Sequence, residues 1–185
     1  MTPRDIVKAL LENDLGSQFL EYEGAPVATF HIIAKKPGVI AGTKFIPMIF
    51  EVLEEEYFLQ SLRRRESPAF IHCYRHDGEG VCAGDIIARC FGNAEVLLKA
   101  ERTILNILTS CSGIATVTRA EVARIAHTKV RLLDTRKGNA VVRTIDKDAV
   151  RVGGGFNHRT GFYDGVMIKD NDIAVYGGVT KAIDA

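Results

Sequence analysis

The chain has 185 residues, 46% of them hydrophobic, and a formal net charge of +1 at pH 7. These values are typical of one or two soluble domains with a hydrophobic core, and they give no electrostatic reason to expect a nucleic acid or a membrane as partner. No apolar run approaches the roughly 20 residues that span a bilayer, and Asp5, Glu12 and Asp14 interrupt the first apolar stretch, which argues against a signal peptide and favours a cytoplasmic protein.

Two elements are predicted before the first turn signal of the chain. Apolar residues recur at helical spacing over residues 6–15, and Gly16 follows them, so a first helix is expected to end there. Residues 27–33 read as a strand, because an apolar, β-branched run precedes the Lys-Lys-Pro-Gly sequence at 35–38.

A helix and three short strands are predicted next. Residues 46–62 carry apolar side chains at helical intervals and lead into three arginines at 63–65. These arginines are interpreted as a solvated helix end, where the helix dipole favours positive charge. The three strands, which are separated by glycines, are expected at 69–74, 81–82 and 85–91.

The middle of the chain predicts a pair of helices. Leucine and isoleucine recur at helical spacing over residues 94–110, and a second helix is expected over 117–127. Gly113 lies between the two segments and is interpreted as the interruption that separates them.

The last third alternates between apolar strands and polar loops. Strands are predicted at 130–133, 150–152 and 166–168. Each is followed by charged residues or by glycines, and helices precede or separate them. This order is typical of a parallel α/β sheet or barrel, in which ligands bind at the carboxyl ends of the strands.

Cationic side chains follow all three of these predicted strands. Residues 124–169 carry 10 Lys and Arg residues and a local surplus of positive charge. A single such residue is most often solvated surface, but three cationic loops at consecutive strand ends favour a site for a small polyanion. The triple glycine at 153–155 is expected to let backbone N–H groups approach that anion. The cations expected to converge are Arg136, Lys137, His158, Arg159 and Lys169.

Several segments together carry a specific resemblance. They are ERTILN at 101–106, SGIAT at 112–116, LLDTRK at 132–137, AVRVGGG at 149–155, NHRTG at 157–161 and IKDN at 168–171. In combination they resemble the quinolinate phosphoribosyltransferases. Weaker similarity extends upstream, so that the resemblance covers essentially the whole chain.

The resemblance implies an α/β fold in two parts. An N-terminal α/β sandwich with a linking helix is expected over residues 1–110, and part of a parallel α/β barrel over residues 111–185. Members of the family are expected to form a homodimer or a larger homo-oligomer, in which Arg102 of one subunit reaches the pocket of its neighbour. No nucleic acid or membrane partner is expected.

The resemblance also implies a reaction. Quinolinate would receive the phosphoribosyl group of phosphoribosyl pyrophosphate and lose carbon dioxide to give nicotinate mononucleotide, with Mg²⁺ on the donor and no metal held by side chains of this chain. Lys137 and Lys169 are expected to be catalytic. The expected substrate-binding residues are Arg102, Arg136, Lys137, His158, Arg159 and Lys169.

The sequence departs from the family pattern in three places. Lys137 is followed by Gly138, Asn139 and Ala140 instead of a threonine-rich turn with proline, although Arg143 remains as an anion partner. A Gly-Asp-x-Thr-Thr signature is missing after Gly16. The chain also ends within a predicted helix, at 179–185, so a fragment or a shortened relative with little activity of its own is expected.

Two other interpretations remain open at this stage. One is a relative encoded with molybdate transporters, whose substrate the sequence does not assign. The other is a shortened, non-catalytic relative that binds an anionic ligand or pairs with a complete subunit. Both would keep the cationic loops and differ in what those loops serve.

Overall fold

The computed structural model describes residues 1–16, 25–57 and 69–185. The elements, in chain order, are α1 (Pro3–Leu15), β1 (Val27–Ile33), β2 (Gly38–Val39), α2 (Phe45–Tyr57), β3 (Phe70–Cys73), β4 (Gly80–Val81), β5 (Ile86–Asn93), α3 (Ala94–Ile125), α4 (Arg143–Val152), α5 (Asp170–Tyr176) and α6 (Val179–Asp184). The chain thus combines helices and sheets, and the predicted α/β fold class is confirmed.

The first helix forms where the sequence predicts it. The Thr2 side chain accepts from the Asp5 N–H while the Asp5 carboxylate accepts from the Thr2 N–H, which is a capping box. These hydrogen bonds hold the pKa of Asp5 below its usual value. The helix ends at Gly16, whose φ of +68° suits glycine. Its buried residues are Ile6, Val7 and Leu11.

The N-terminal sheet is antiparallel and has the strand order β1-β5-β3. Burial alternates along β1 and β3, with every second residue turned towards the helices. One face of the sheet therefore packs against α3, and the side chains on the other face are the more exposed ones in β1 and β3. The predicted strands are confirmed to within about two residues, and β2 pairs with β4 in a small second sheet.

The predicted second helix is confirmed over the part that can be described. α2 begins at Phe45 and is described to Tyr57. The remainder of the prediction, up to residue 62, and the three arginines at 63–65 lie outside the described residues. Within the described ranges, no helix combines the length and the apolarity that crossing a bilayer requires.

The predicted break at Gly113 is wrong, because α3 is one helix of 32 residues. Glycine inside a helix costs about 1 kcal/mol relative to alanine. That cost is offset because the buried stripe of the helix extends across Gly113, from Cys111 to Ala115 and Thr118. The helix also runs through the predicted domain boundary between residues 110 and 111, so the division of the chain into two domains stays a prediction.

Two hydroxyl groups on α3 hold the segment that begins with β2 against the helix. Ser112 Oγ accepts from the Ala41 N–H at 3.1 Å, and Thr116 Oγ1 accepts from the Val39 N–H at 2.8 Å. These bonds satisfy backbone donors at β2 and just after it, which fastens this part of the N-terminal half to the helix that continues into the second half of the chain.

The three predicted parallel strands are wrong as strands. Residues 130–133 contribute a single parallel bridge, between Leu133 and Phe156. Residues 166–168 form no strand, and Val166 is 92% exposed. A strand needs a neighbouring ladder to satisfy its backbone groups, and one bridge offers residues 166–168 no such edge.

The second predicted strand, at 150–152, is instead the last turn of α4. Ile145 and Ala149 are buried at helical spacing, and Val152 follows at the next helical interval. The short run Ala-Val-Arg-Val is apolar enough to read as a strand, but its periodicity continues that of the preceding helix. The extended segment begins four residues later, at Phe156.

Candidate functional site

Two loops begin side by side at the parallel bridge. The Phe156 N–H donates to the Leu132 carbonyl at 2.8 Å, and the Asp134 N–H donates to the Phe156 carbonyl at 3.1 Å. The chain therefore leaves this bridge in the same direction twice, once into residues 134–137 and once into residues 157–160.

A hydrogen-bonded cluster, centred on the buried side chains of Asp134 and Lys147, joins these two loops to α4. The Asp134 Oδ1 accepts from the His158 N–H at 2.8 Å and from the Lys147 Nζ at 2.6 Å. The Lys147 Nζ also donates to the His158 carbonyl at 2.6 Å. The side-chain amide of Asn157 is oriented with its nitrogen towards two acceptors. This nitrogen donates to Asp134 Oδ2 at 2.9 Å and to the Lys147 carbonyl at 2.8 Å. We call Asp134, Lys147, Asn157 and His158 the Asp134 cluster.

The second loop closes tightly after the cluster. The Thr160 N–H donates to Asp164 Oδ2 at 2.7 Å, and the Arg159 guanidinium donates to the Gly165 carbonyl at 2.6 Å. The Thr160 N–H stabilises the carboxylate and lowers the pKa of Asp164. Phe162 lies between these closing bonds and is 79% exposed.

Two predicted site residues meet at the Phe162 ring. The Arg136 guanidinium carbon lies 4.4 Å from the ring centroid and that of Arg159 lies 5.3 Å from it. Both distances are typical of cation–π contacts. The two arginines, one from each loop, are thus neighbours around one aromatic side chain.

The two loops and the first residue of α4 carry buried nitrogen atoms with no partner among the described residues. They are the Nε atoms of Arg136, Arg143 and Arg159 and the Nδ1 atom of His158. Buried polar groups are nearly always hydrogen-bonded, so each such atom calls for an explanation. Planar guanidinium donors suit carboxylate and phosphate oxygens, and an anionic ligand would satisfy them.

The structure brings together Arg136, His158 and Arg159 but not the other predicted site residues. Lys137 and Lys169 are exposed, and within the described ranges they are hydrogen-bonded through their backbone N–H groups, to Thr135 Oγ1 and Asp172 Oδ2 respectively.

Arg102 lies far from the two loops within one subunit. It is exposed on α3, 17 residues before Arg119, or about 25 Å along the helix axis. Arg119 is the residue that reaches the second half, where it donates to the carbonyls of Val152 and Gly153. The subunit's own pocket therefore does not include Arg102.

The triple glycine does not form the expected anion-binding loop. The N–H groups of Gly153, Gly154 and Gly155 donate to the carbonyls of Ala149, Arg151 and Val150, which closes the end of α4. With these donors used, none is free for an anion. The glycines are required by packing, because a Cβ at Gly153 would lie 2.6 Å from the Cβ of Thr118.

Sequence reasoning missed Lys147 and Phe162. Lys147 stands between Asp146 and Asp148, so nothing in the sequence separates it from a solvated lysine. Phe162 carried a usable signal, since it is an aromatic residue in a polar, glycine-containing loop three residues after Arg159.

The described ranges offer no side-chain cluster for a metal ion. No three His, Cys, Asp or Glu residues gather there in an arrangement that could ligate one.

Comparison with known proteins gives matches over both halves of the chain. The family model described as "Quinolinate phosphoribosyl transferase, N-terminal domain" matches residues 14–112, and that of the C-terminal domain matches residues 114–185. A probable nicotinate-nucleotide pyrophosphorylase [carboxylating] of Bacillus subtilis is 40% identical over 91% of the chain and 54% of its own length. The corresponding protein of Mycobacterium leprae is 38% identical over 98% of the chain and 62% of its own length.

Solved structures agree with this match. The crystal structure of NadC from Streptococcus pyogenes superposes with a TM-score of 0.82 at 33% identity, and it covers 100% of this chain and 65% of that one. A nicotinate-nucleotide pyrophosphorylase from Francisella tularensis superposes with a TM-score of 0.80 at 34% identity, covering 100% and 64%. The chain thus spans between about half and two thirds of the length of these relatives.

Proposed function

Because the chain belongs to the quinolinate phosphoribosyltransferase family, we propose that it serves the transfer of a phosphoribosyl group from phosphoribosyl pyrophosphate to quinolinate. Carbon dioxide is lost, and the product is nicotinate mononucleotide, an intermediate of NAD biosynthesis. The observation that carries this proposal is the set of buried nitrogen atoms on Arg136, Arg143, His158 and Arg159, which have no partner among the described residues.

The charge and shape of these groups suit the proposed substrate. Quinolinate carries two carboxylates on one pyridine ring, and Arg136 and Arg159 present two guanidinium groups around one aromatic ring. Two guanidinium groups held in this way can each bind one carboxylate. The ring of Phe162 limits how far the guanidinium groups can move and so reduces the entropy lost on binding.

The second substrate needs cations for its leaving group. Departure of pyrophosphate leaves positive charge on the sugar and negative charge on the phosphates, and a catalytic site must stabilise both. We assign Lys137 and Lys169 to this task, because their side chains are exposed, one in the first loop and the other shortly after the second. Mg²⁺ would enter with the pyrophosphate of the donor, and we assign no step to it.

A calorimetric titration tests this proposal. Quinolinate added to the 185-residue chain is expected to bind, whereas nicotinate, which has one carboxylate, is expected to bind about tenfold more weakly because one charge-assisted hydrogen-bonding partner is lost. Phthalate, which keeps both carboxylates but has no ring nitrogen, separates recognition of charge from recognition of the pyridine. No heat of binding with millimolar quinolinate would contradict the proposed site.

We also propose that Arg102 completes the site of a second copy of the chain. Arg102 is exposed and about 25 Å along α3 from the end that contacts Val152. A cation that serves another subunit's pocket requires at least a dimer with a two-fold interface.

Sedimentation velocity measures this assembly directly. The chain is expected to sediment as a dimer at micromolar concentrations, and Arg102→Ala is expected to keep the dimer while weakening quinolinate binding. A chain that stays monomeric at several hundred micromolar would contradict this role of Arg102.

The two other interpretations are less well supported. The curated relatives carry the names of nicotinate-nucleotide pyrophosphorylases and quinolinate phosphoribosyltransferases, which does not favour a molybdate-associated relative. A cytoplasmic location is part of the proposal.

A further inference from the structure

Lys147 is a buried cation to which the proposed reaction assigns no role. Its side chain is only 6% exposed, although it stands in a polar helix between Asp146 and Asp148. Burying an ammonium group is costly, and an apolar side chain of similar length would fill the same place without that cost. The reason for a lysine here should therefore lie in what its charge contacts.

Two hydrogen bonds of this ammonium lead to the cationic loops, one to each. The first is to Asp134 Oδ1 at 2.6 Å, two residues before Arg136. The second is to the His158 carbonyl at 2.6 Å, one residue before Arg159. Asp134 in turn accepts from the His158 N–H at 2.8 Å, so three hydrogen bonds connect Lys147, Asp134 and His158 in a ring.

These three bonds fix the spacing of the two loops at their origin. The parallel bridge between Leu133 and Phe156 is a single pair, and one pair leaves the loops free to pivot. The ammonium adds contacts beyond the bridge, on the side where the arginines lie. Since both guanidinium groups meet at the Phe162 ring, a change in loop spacing would separate them.

We propose that Lys147 is a positioning residue for the dicarboxylate site, an inference that rests on the proposed function. It acts through Asp134 and the His158 carbonyl and holds Arg136 and Arg159 at the separation that suits two carboxylates on one ring. Binding then requires no reordering of the loops, which is the usual advantage of a preorganised site.

The test must separate positioning from plain stability. Lys147→Met alone would leave Asp134 buried without its counter-ion and could unfold the chain. The informative variant is therefore the double substitution Asp134→Asn with Lys147→Met, which removes both charges and keeps both shapes. Replacing both partners of a buried ion pair is often neutral for stability.

A matched control exists on α3. Glu95 and Lys99 form another largely buried ion pair, with side chains 11% and 13% exposed. They lie on the first turns of the helix, remote from the end that contacts Val152. Glu95→Gln with Lys99→Met therefore removes a comparable pair without touching either loop.

Three measurements are made on the wild type and on both double variants: the urea midpoint of unfolding, the Kd for quinolinate by calorimetry, and amide hydrogen exchange of residues 134–137 and 157–160. The Asp134→Asn/Lys147→Met variant is expected to keep a urea midpoint near that of the wild type, to raise the Kd at least tenfold, and to exchange about tenfold faster in both segments. The control is expected to keep the exchange of both segments within about twofold, whatever its midpoint. Its Kd is not part of the comparison, because Lys99 lies three residues before Arg102 on α3.

A Kd within about twofold of the wild type in the Asp134→Asn/Lys147→Met variant would overturn the positioning role, as would unchanged exchange in the two segments. If the wild-type chain binds no quinolinate, the proposed function fails. The exchange comparison needs no ligand, so an increase confined to the two segments would then still support the ordering of the loops by Lys147, and its absence would overturn it.

Discussion

Replacing Gly153 with alanine is expected to lower the free energy of unfolding by about 3 kcal/mol, at the upper end of the usual cost of overpacking. An added Cβ would lie 2.6 Å from the Cβ of Thr118 and 2.7 Å from the Ala115 carbonyl oxygen. Neither atom can move away easily, because one is a backbone oxygen of α3 and the other is a Cβ attached directly to its backbone. The loop would have to shift, and it carries Asn157 and His158 of the Asp134 cluster.

Urea unfolding followed by circular dichroism measures this effect, with Gly138→Ala as the control. A Cβ added at Gly138 would meet no atom within 4 Å, and the φ of this residue is not positive, so alanine there should change the free energy of unfolding by no more than about 0.5 kcal/mol. Equal stabilities of the two variants would show that the contact between α3 and the glycine turn is not tight. The quinolinate affinity of Gly153→Ala should also fall, since the turn leads directly into the site.

Replacing Arg136 or Arg159 with alanine is expected to weaken quinolinate binding by about 1.5–3 kcal/mol each, the range of a hydrogen bond to a charged group. This corresponds to a roughly tenfold to 150-fold rise in Kd. Both guanidinium groups are already desolvated in part, and their Nε atoms have no partner among the described residues. The effect of Arg136→Ala should therefore appear in binding and not in stability, whereas Arg159→Ala also removes the hydrogen bond to the Gly165 carbonyl and should lower stability slightly.

The control for this prediction is Arg124→Ala. The Arg124 side chain is 75% exposed and pairs with Glu121 one helical turn earlier, a contact of little energetic value. Arg63, which the sequence also suggests as a solvated arginine, lies outside the described residues and is the weaker choice. Calorimetry of the three single variants decides the matter, since equal losses at Arg124, Arg136 and Arg159 would remove the case for a localised pocket.

The double variant Arg136→Ala/Arg159→Ala adds a test of coupling. Both side chains contact the same Phe162 ring, so removal of one changes the surroundings of the other. The loss of binding energy in the double variant is therefore expected to differ from the sum of the two single losses by about 0.5 kcal/mol or more, a typical value for residues that share a partner.

Local patterns predicted the N-terminal half well. Apolar spacing over residues 6–15 with Gly16 after it predicted α1, and the strand-like run before the turn signal at 35–38 predicted β1, because these signals depend on neighbours in the chain. The same reasoning failed at Gly113, where packing along α3 outweighs a local preference.

The second half was predicted less well because short apolar runs are ambiguous. Residues 150–152 satisfy a strand pattern and a helix pattern equally, and the choice depends on whether the preceding residues already form a helix. The triple glycine was assigned to anion binding because residues 150–152 were interpreted as a strand that ends there. Its role in packing against Thr118 could not be read without knowing that α3 passes beside it.

The sequence by itself determined the family, the α/β class and the presence of two cationic loops that contain Arg136, His158 and Arg159. Only the tertiary structure decided that Lys147 is buried between those loops, that Phe162 contacts both arginines, and that Lys137 and Lys169 are exposed. The physical reason is the distance along the chain over which each kind of interaction acts. Caps and periodicities act over a few residues, whereas the meeting of Asp134 with Lys147 and His158 depends on how α4 packs against α3, which no local pattern specifies.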